Sequence, residues 1–159
     1  MNNNRCFVLA VSFALVALFA CSKSDYTIDV AKDDPEMTAA IAQARATLPQ
    51  FWDVFEKRER NETDFLLKVG ITDKGDTEYF WLKDIERLHG MLMGTIDNEP
   101  EIVGTVKLGD RIEIPEADIV DWIYKRDGKI VGNRTVRALF KHMSPEEVEQ
   151  TKATLAPEE

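Results

Sequence analysis

The apolar residues change their period once near the start of the chain, and that change limits the possible folds more than any other feature. Met37, Ile41, Ala44, Leu48, Phe51 and Phe55 step by 4, 3, 4, 3 and 4, which lays them on one helix face. From Asp64 the period is two: Phe65, Leu67, Val69 and Ile71 share one face, and Leu66, Lys68, Gly70 and Thr72 share the other. Only a helix uses the first spacing and only a half-buried strand the second, so a helical segment must hand over to a sheet between them.

The flanking residues agree. Asp34-Pro35-Glu36 reads as a helix start, with Asp34 as cap, Pro35 at the first helical position and Glu36 favourable to the dipole. Pro49 interrupts the pattern, so a kinked helix or two abutting helices are expected, ending near Arg60. After the first strand, Asp73-Lys74-Gly75-Asp76 is a turn, and a second strand from Thr77 to Leu88 should close a hairpin. A third strand is expected from His89 to Ile96, followed by the turn Asp97-Asn98-Glu99-Pro100. Ile102 to Val106 reads as a short strand or an ordered loop, and Arg111 to Ile114 as a strand that Pro115 ends. Ile119 to Tyr124 should form a hairpin with Ile130-Val131 across Asp127-Gly128, a pair suited to the positive φ of a tight turn. Val136, Leu139, Phe140 and Met143 return to helical spacing, and Ser144-Pro145-Glu146-Glu147 is a capping box for a last helix to about Leu155. The order implies an α+β fold, a mostly antiparallel sheet with N-terminal and C-terminal helices packed on it.

The N-terminus carries a different message. Arg5 precedes an apolar run from Cys6 to Ala20 relieved only by Ser12, the form of an export signal. The run is short for a bilayer crossing, which takes about 20 apolar residues. It ends Leu18-Phe19-Ala20-Cys21, which resembles a lipobox with Phe19 as a bulky departure. Residues 1–20 are therefore expected to be a lipoprotein signal peptide, residues 21–33 an acylated Cys21 with its tether, and residues 34–159 a single domain. Two or more acyl chains make such an anchor stable. The expected location is the cell envelope, and by the sorting pattern of Ser22 the outer membrane facing the periplasm if the cell is Gram-negative. Cys6 leaves with the signal and Cys21 is consumed by lipid, so no disulfide, thiolate metal site or cysteine nucleophile is expected. After cleavage 19 basic residues face 29 acidic ones, a balance that argues against nucleic acid as a partner.

Chemistry-bearing patterns are sparse. His89 and His142 stand in different elements without metal-ligand spacing, and the mature chain's serines are Ser22, Ser24 and the cap Ser144. Gly128 to Gly132 lacks the frame of a phosphate loop, so no cofactor or metal is expected. Glu78 with Asp84, or Asp118 with Asp121, have the residue types of a general acid and base, and nothing in the pattern raises either pair above the many carboxylates. The segment from Asp121-Trp122 to Arg137 is richer. Arg134 and Arg137 suit an anion beside an aromatic wall with Thr135 donating. The architectural alternative makes Trp122 core and pairs Asp121 with Arg137 or Arg134 to pin the hairpin to the next helix.

These residues are also where the chain resembles a known family, the YegJ-like bacterial domain of unknown function. The resemblance runs from about Asp34 to Phe140. It rests on Glu78-Tyr79-Phe80-Trp81, on Gly94-Thr95-Ile96-Asp97-Asn98-Glu99-Pro100, on Gly109-Asp110 and Asp121-Trp122, and on the series Gly128, Gly132, Thr135, Arg137. It implies one domain, is consistent with a lipoprotein form, and brings no catalytic residues with it. The candidate binding or structural residues are thus Trp81, Asn98, Asp121, Trp122, Arg134, Thr135 and Arg137, with Cys21 as the lipidation site. The leading expectation is a non-catalytic envelope lipoprotein that binds a protein or small ligand near Trp122 and Arg137. An immunity or inhibitor protein against a basic effector is the alternative, and an enzyme with a carboxylate-based site the third.

Overall fold

The computed structural model describes residues 34–59, 61–89 and 91–157. The expected signal peptide, the expected lipidation site Cys21 and the expected tether, residues 1–33, lie outside them. Asp34 opens the first helix, α1 (Pro35–Ala46), by accepting from the backbone N–H groups of Glu36 and Met37 at 2.9 and 3.0 Å. The interruption at Pro49 is a break: Thr47 separates α1 from α2 (Leu48–Lys57), and Pro49 sits in the first turn of α2, where no helical N–H is needed. Helix α2 ends at Arg58, whose left-handed backbone (φ 44°) stops it slightly ahead of Arg60.

Strands β1 (Glu62–Asp73) and β2 (Asp76–Leu88) form the expected hairpin, closed by Lys74 and Gly75 with φ of 51° and 100°. Strand β3 (Met91–Ile96) pairs with β2, and β4 (Arg111–Pro115) with β3. Residues 102–106 are loop; Val103 is nevertheless buried in the core. Strands β5 (Ile119–Arg126) and β6 (Lys129–Gly132) form the second hairpin, turning at Asp127-Gly128. The sheet order is β4-β3-β2-β1-β5-β6, antiparallel throughout, with β1 joining the two hairpins.

That order forces curvature. Residues 116–118 alone link β4 to β5, although β3, β2 and β1 stand between those strands. The link spans at most ~14 Å, whereas four strand spacings in a flat sheet need ~19 Å. The sheet must therefore curl, and bulges supply the bend: β2 shifts register between Lys83 and Glu86, where Asp84 is left-handed, and β1 shifts against β5 in two places.

The curl encloses an aromatic core. Phe51 is fully buried and packs on Trp52, Phe55, Phe65 and Trp122 with ring centroids 5.1 to 5.9 Å apart. Leu67 and Val69 of β1, and Phe80 and Leu82 of β2, meet them from the sheet. The indole N–H of Trp122 donates to the Ala44 carbonyl at 2.9 Å, in the last turn of α1 where carbonyls lack helical partners. Beyond β6 the helical spacing yields a short α3 (Arg134–Ala138) and a separate 3-10 turn at residues 140–142, because Met143 and Ser144 turn extended to cap α4 (Pro145–Thr154). The capping box of α4 is formed as expected. After α4, Leu155 bridges to Ile130 and the Ala156 N–H donates to the Ile130 carbonyl at 2.7 Å, which covers part of the β6 edge.

Gly132 marks the tightest point. Its φ is 85°, and a β-carbon there would meet the Trp122 carbonyl oxygen and stand 2.7 to 2.8 Å from two carbons of the indole ring. Gly132→Ala combines left-handed strain with overpacking, so a loss of about 3 kcal/mol is expected in urea unfolding. A change under about 0.5 kcal/mol, the size of an ordinary surface substitution, would contradict the packing described.

Candidate functional site

The segment from Asp121 to Arg137 folds back on itself, and its residues separate into two groups. Asp121 in β5 is fully buried. Its Oδ1 accepts from the Trp122 N–H at 2.9 Å, and its Oδ2 accepts from both the N–H and the hydroxyl of Thr135, each at 2.7 Å. The expected pairing of Asp121 with Arg134 or Arg137 is thus replaced by Thr135. The reason is local: Gly132 and Asn133, with φ of 85° and 54°, reverse the chain so that the first turn of α3 points its N–H at β5. Thr135 itself is 2% exposed, so its hydroxyl serves Asp121 and does not face a ligand.

The Thr135 oxygen accepts in turn from the ammonium of Lys68 at 3.3 Å. Lys68 lies opposite Asp121 on one side and Trp81 on the other in the strand register. Its Nζ stands 5.3 Å from the Trp81 ring centre and 5.9 Å from that of Tyr79. Burial pulls the Lys68 pKa below the ordinary lysine value, and the Asp121 charge opposes that pull without cancelling it.

The second group gathers at the helices. Arg134 stacks its guanidinium over Trp122, 5.2 Å from a ring centre, and its Nε is buried without a hydrogen-bond partner among the described residues. Arg137 donates from Nη2 to the Ala156 carbonyl at 3.0 Å. Both line a groove of about 240 Å³ between α1 and α3, together with Glu36, Gln43 and the small side chains of Ala39, Ala40 and Ala138. Trp122 is the floor under Arg134, not an open aromatic wall, since it is almost wholly buried.

Asn98 belongs to neither group. Its Oδ1 accepts from the Trp81 N–H at 2.8 Å, and the Asp97 N–H returns to the Trp81 carbonyl at 2.9 Å, so the pair fastens the loop after β3 onto β2. Glu78 fastens the same loop further on. Its two oxygens accept from the N–H groups of Glu101, Ile102 and Val103 at 2.9 to 3.0 Å. Partial burial works against its charge, but the Val103, Glu101 and Ile102 donors outweigh it and hold the carboxyl below the usual glutamate value. A carboxylate committed in this way is a clamp, and Asp84, in an exposed left-handed bulge, is no partner for proton transfer. Asp118 is likewise exposed while Asp121 is enclosed. His142 approaches Asp34 at 4.0 Å, and His89 occupies the turn after β2. Among the described residues no group of three or more His, Cys, Asp or Glu is placed to hold a metal.

A further groove of about 420 Å³ is lined by Trp52, Phe55, Glu56, Arg87 and His89. Its Arg87 is already taken, stacked on Trp52 and paired with Glu116 at 3.0 Å. Sequence reasoning did not single out Lys68. The available signal was that it is the one charged residue among Phe65 to Ile71, a strand segment otherwise apolar or small.

Comparison with known proteins places this geometry in a family. Residues 34–156 match the model of DUF2314, described as an uncharacterized protein conserved in bacteria. The chain is 36% identical over 148 residues to "Uncharacterized protein YegJ" of Escherichia coli (strain K12), covering 93% of this chain and 95% of that protein. It is 30% identical over 126 residues to a "Putative ankyrin repeat protein" of Neisseria meningitidis serogroup B, covering 74% of this chain and half of that protein. No solved structure matches. The clamp, the curled sheet and the Asp121–Thr135 contact all fall inside the matched residues, and the chain belongs to the DUF2314 family with a YegJ-like domain.

Proposed function

We propose that the protein is a non-catalytic binding domain of the cell envelope, held to the membrane by lipid on Cys21, which takes an anionic group in the groove between α1 and α3. The observation that carries this reading is the pair of guanidinium groups, Arg134 and Arg137, lining one groove of a chain whose formal charge is −9. A planar guanidinium suits carboxylate and phosphate oxygens, and stacking on Trp122 holds Arg134 ready before a ligand arrives. Ala39, Ala40 and Ala138 leave room for the ligand, and Gln43 adds a polar group. Glu36 also lines the groove, with its charge offset by Lys141 at 3.2 Å. The anion is a carboxylate or phosphate of a small ligand or of a partner protein.

The non-catalytic part of the reading rests on the carboxylates. Glu78 and Asp121, the two members of the candidate acid–base pairs that accept several hydrogen bonds, are each committed to holding the fold.

Two measurements test this reading. Inorganic phosphate, titrated at constant ionic strength to ten times its dissociation constant, should stabilise the protein by about 1.4 kcal/mol, a rise in Tm of roughly 5 °C. Arg134→Ala and Arg137→Ala, each compared with its own phosphate-free Tm, should lose that rise; an equal rise in both variants would exclude the groove. In cells, labelled palmitate should enter the wild-type protein and not Cys21→Ala, and labelling of that variant would refute the anchor.

A further inference from the structure

The two edges of the sheet are not equivalent. The β6 edge is partly covered, since the Ala156 N–H donates to the Ile130 carbonyl and Leu155 bridges to Ile130. At the other end of the sheet, no described strand pairs with the outer side of β4. Along β4, Arg111, Glu113 and Pro115 are exposed, while Ile112 and Ile114 alternate with them and are only half-buried at the rim of the core.

The register determines which backbone groups this edge presents. The Ile96 N–H donates to the Asp110 carbonyl at 2.9 Å, so the position next to the Thr95–Arg111 pair is a hydrogen-bonded one. Bonded and non-bonded pairs alternate along an antiparallel ladder, which turns the N–H and C=O of Ile112 and Ile114 toward β3 and those of Arg111 and Glu113 away from it. Pro115 continues the outward series with a carbonyl but no N–H. The outward donors of β4 thus belong to Arg111 and Glu113, two residues of opposite charge on one face of the strand.

We propose that the β4 edge pairs with a second copy of this chain, antiparallel about a two-fold axis through Ile112. In that register Arg111 of each copy faces Glu113 of the other, and every outward N–H of these residues meets an outward carbonyl. The same pairs set opposite charges side by side across the join. Arg111 keeps its exposed ion pair with Glu86 at 2.6 Å and gains a second carboxylate beside it. Ile112 meets its own copy at a non-bonded position, where Cα atoms approach to about 4.5 Å, and so covers the half-buried rim of the core. Neighbouring registers lack this match. An axis through Glu113 opposes two glutamates and leaves Arg111 facing Pro115, which has no N–H; an axis through Arg111 opposes two arginines. Charges on an edge strand ordinarily discourage pairing, but on β4 they alternate in sign, and the two-fold turns them into complements. The join is short, so the dimer is a weak one. It is separate from the α1–α3 groove and does not depend on it.

The test is sedimentation equilibrium of the full chain in density-matched detergent micelles at low salt, with protein up to about 1 mM. The wild-type chain should show a reversible monomer–dimer equilibrium. Arg111→Glu leaves only glutamates facing glutamates across the join, and Glu113→Arg only arginines facing arginines, so each alone should raise the dissociation constant about tenfold. An equimolar mixture of the two variants should dimerise as well as the wild type, because every pair is again Glu with Arg. That recovery also shows both variants to be folded. A wild-type chain that stays monomeric throughout this range overturns the proposal. Equal dimerisation of the wild type and both single variants, or a mixture that associates no better than its components, overturns it as well.

Discussion

A carboxylate with no exposure to solvent sits at the junction of three elements, and the arrangement around it depends on how that carboxylate is satisfied. Burying Asp121 without partners would cost several kcal/mol. Thr135 meets the need twice, through backbone and hydroxyl, and Trp122 a third time. Because both Thr135 donors belong to the first turn of α3, satisfying Asp121 also decides where α3 lies. The helix is held against β5 and beside α1, which turns Arg134 and Arg137 into the groove. Lys68 extends the same contact to β1. Thr135 therefore supports both the groove on the helical side and the position of Lys68 on β1.

Curvature is the second constraint. A three-residue link between β4 and β5 would be impossible on a flat sheet of this strand order, and several side chains hold the curled form. Glu116 in that link accepts from the Trp52 indole at 2.9 Å and pairs with Arg87. Arg45 of α1 donates to the carbonyls of Ile119 and Ala117 at 2.8 and 3.1 Å, anchoring the start of β5. Glu78 and Asn98 fasten the long loop between β3 and β4 from the other side. Each is a side chain satisfying backbone or indole groups that the bend removes from regular pairing.

Much of this was legible from residue order. Period, caps and turn residues located both hairpins, the break at Pro49 and the capping box of the last helix, because those signals act over a few neighbouring residues. The sheet order was not legible, since it depends on β1 pairing with β5 more than 40 residues away, and no local pattern encodes that choice. The partner of Asp121 was misjudged for a related reason. Charge complementarity favours an arginine, but two consecutive left-handed residues at Gly132 and Asn133 bring a backbone N–H and a hydroxyl closer than either guanidinium. The role of Glu78 was hidden in the same way, because its partners are backbone groups of a loop about 23 residues downstream. Where side chains answer to distant backbone, composition and spacing carry no signal.

The central claim, that the Asp121–Thr135 contact sets the position of α3, can be measured by a double-mutant cycle of Asp121→Asn and Thr135→Val in urea unfolding. The account predicts that the two losses are strongly non-additive, with a coupling of about 1–3 kcal/mol, because each substitution removes the same interaction. Losses that add to within about 0.5 kcal/mol would show that the two residues act independently, and would contradict the account.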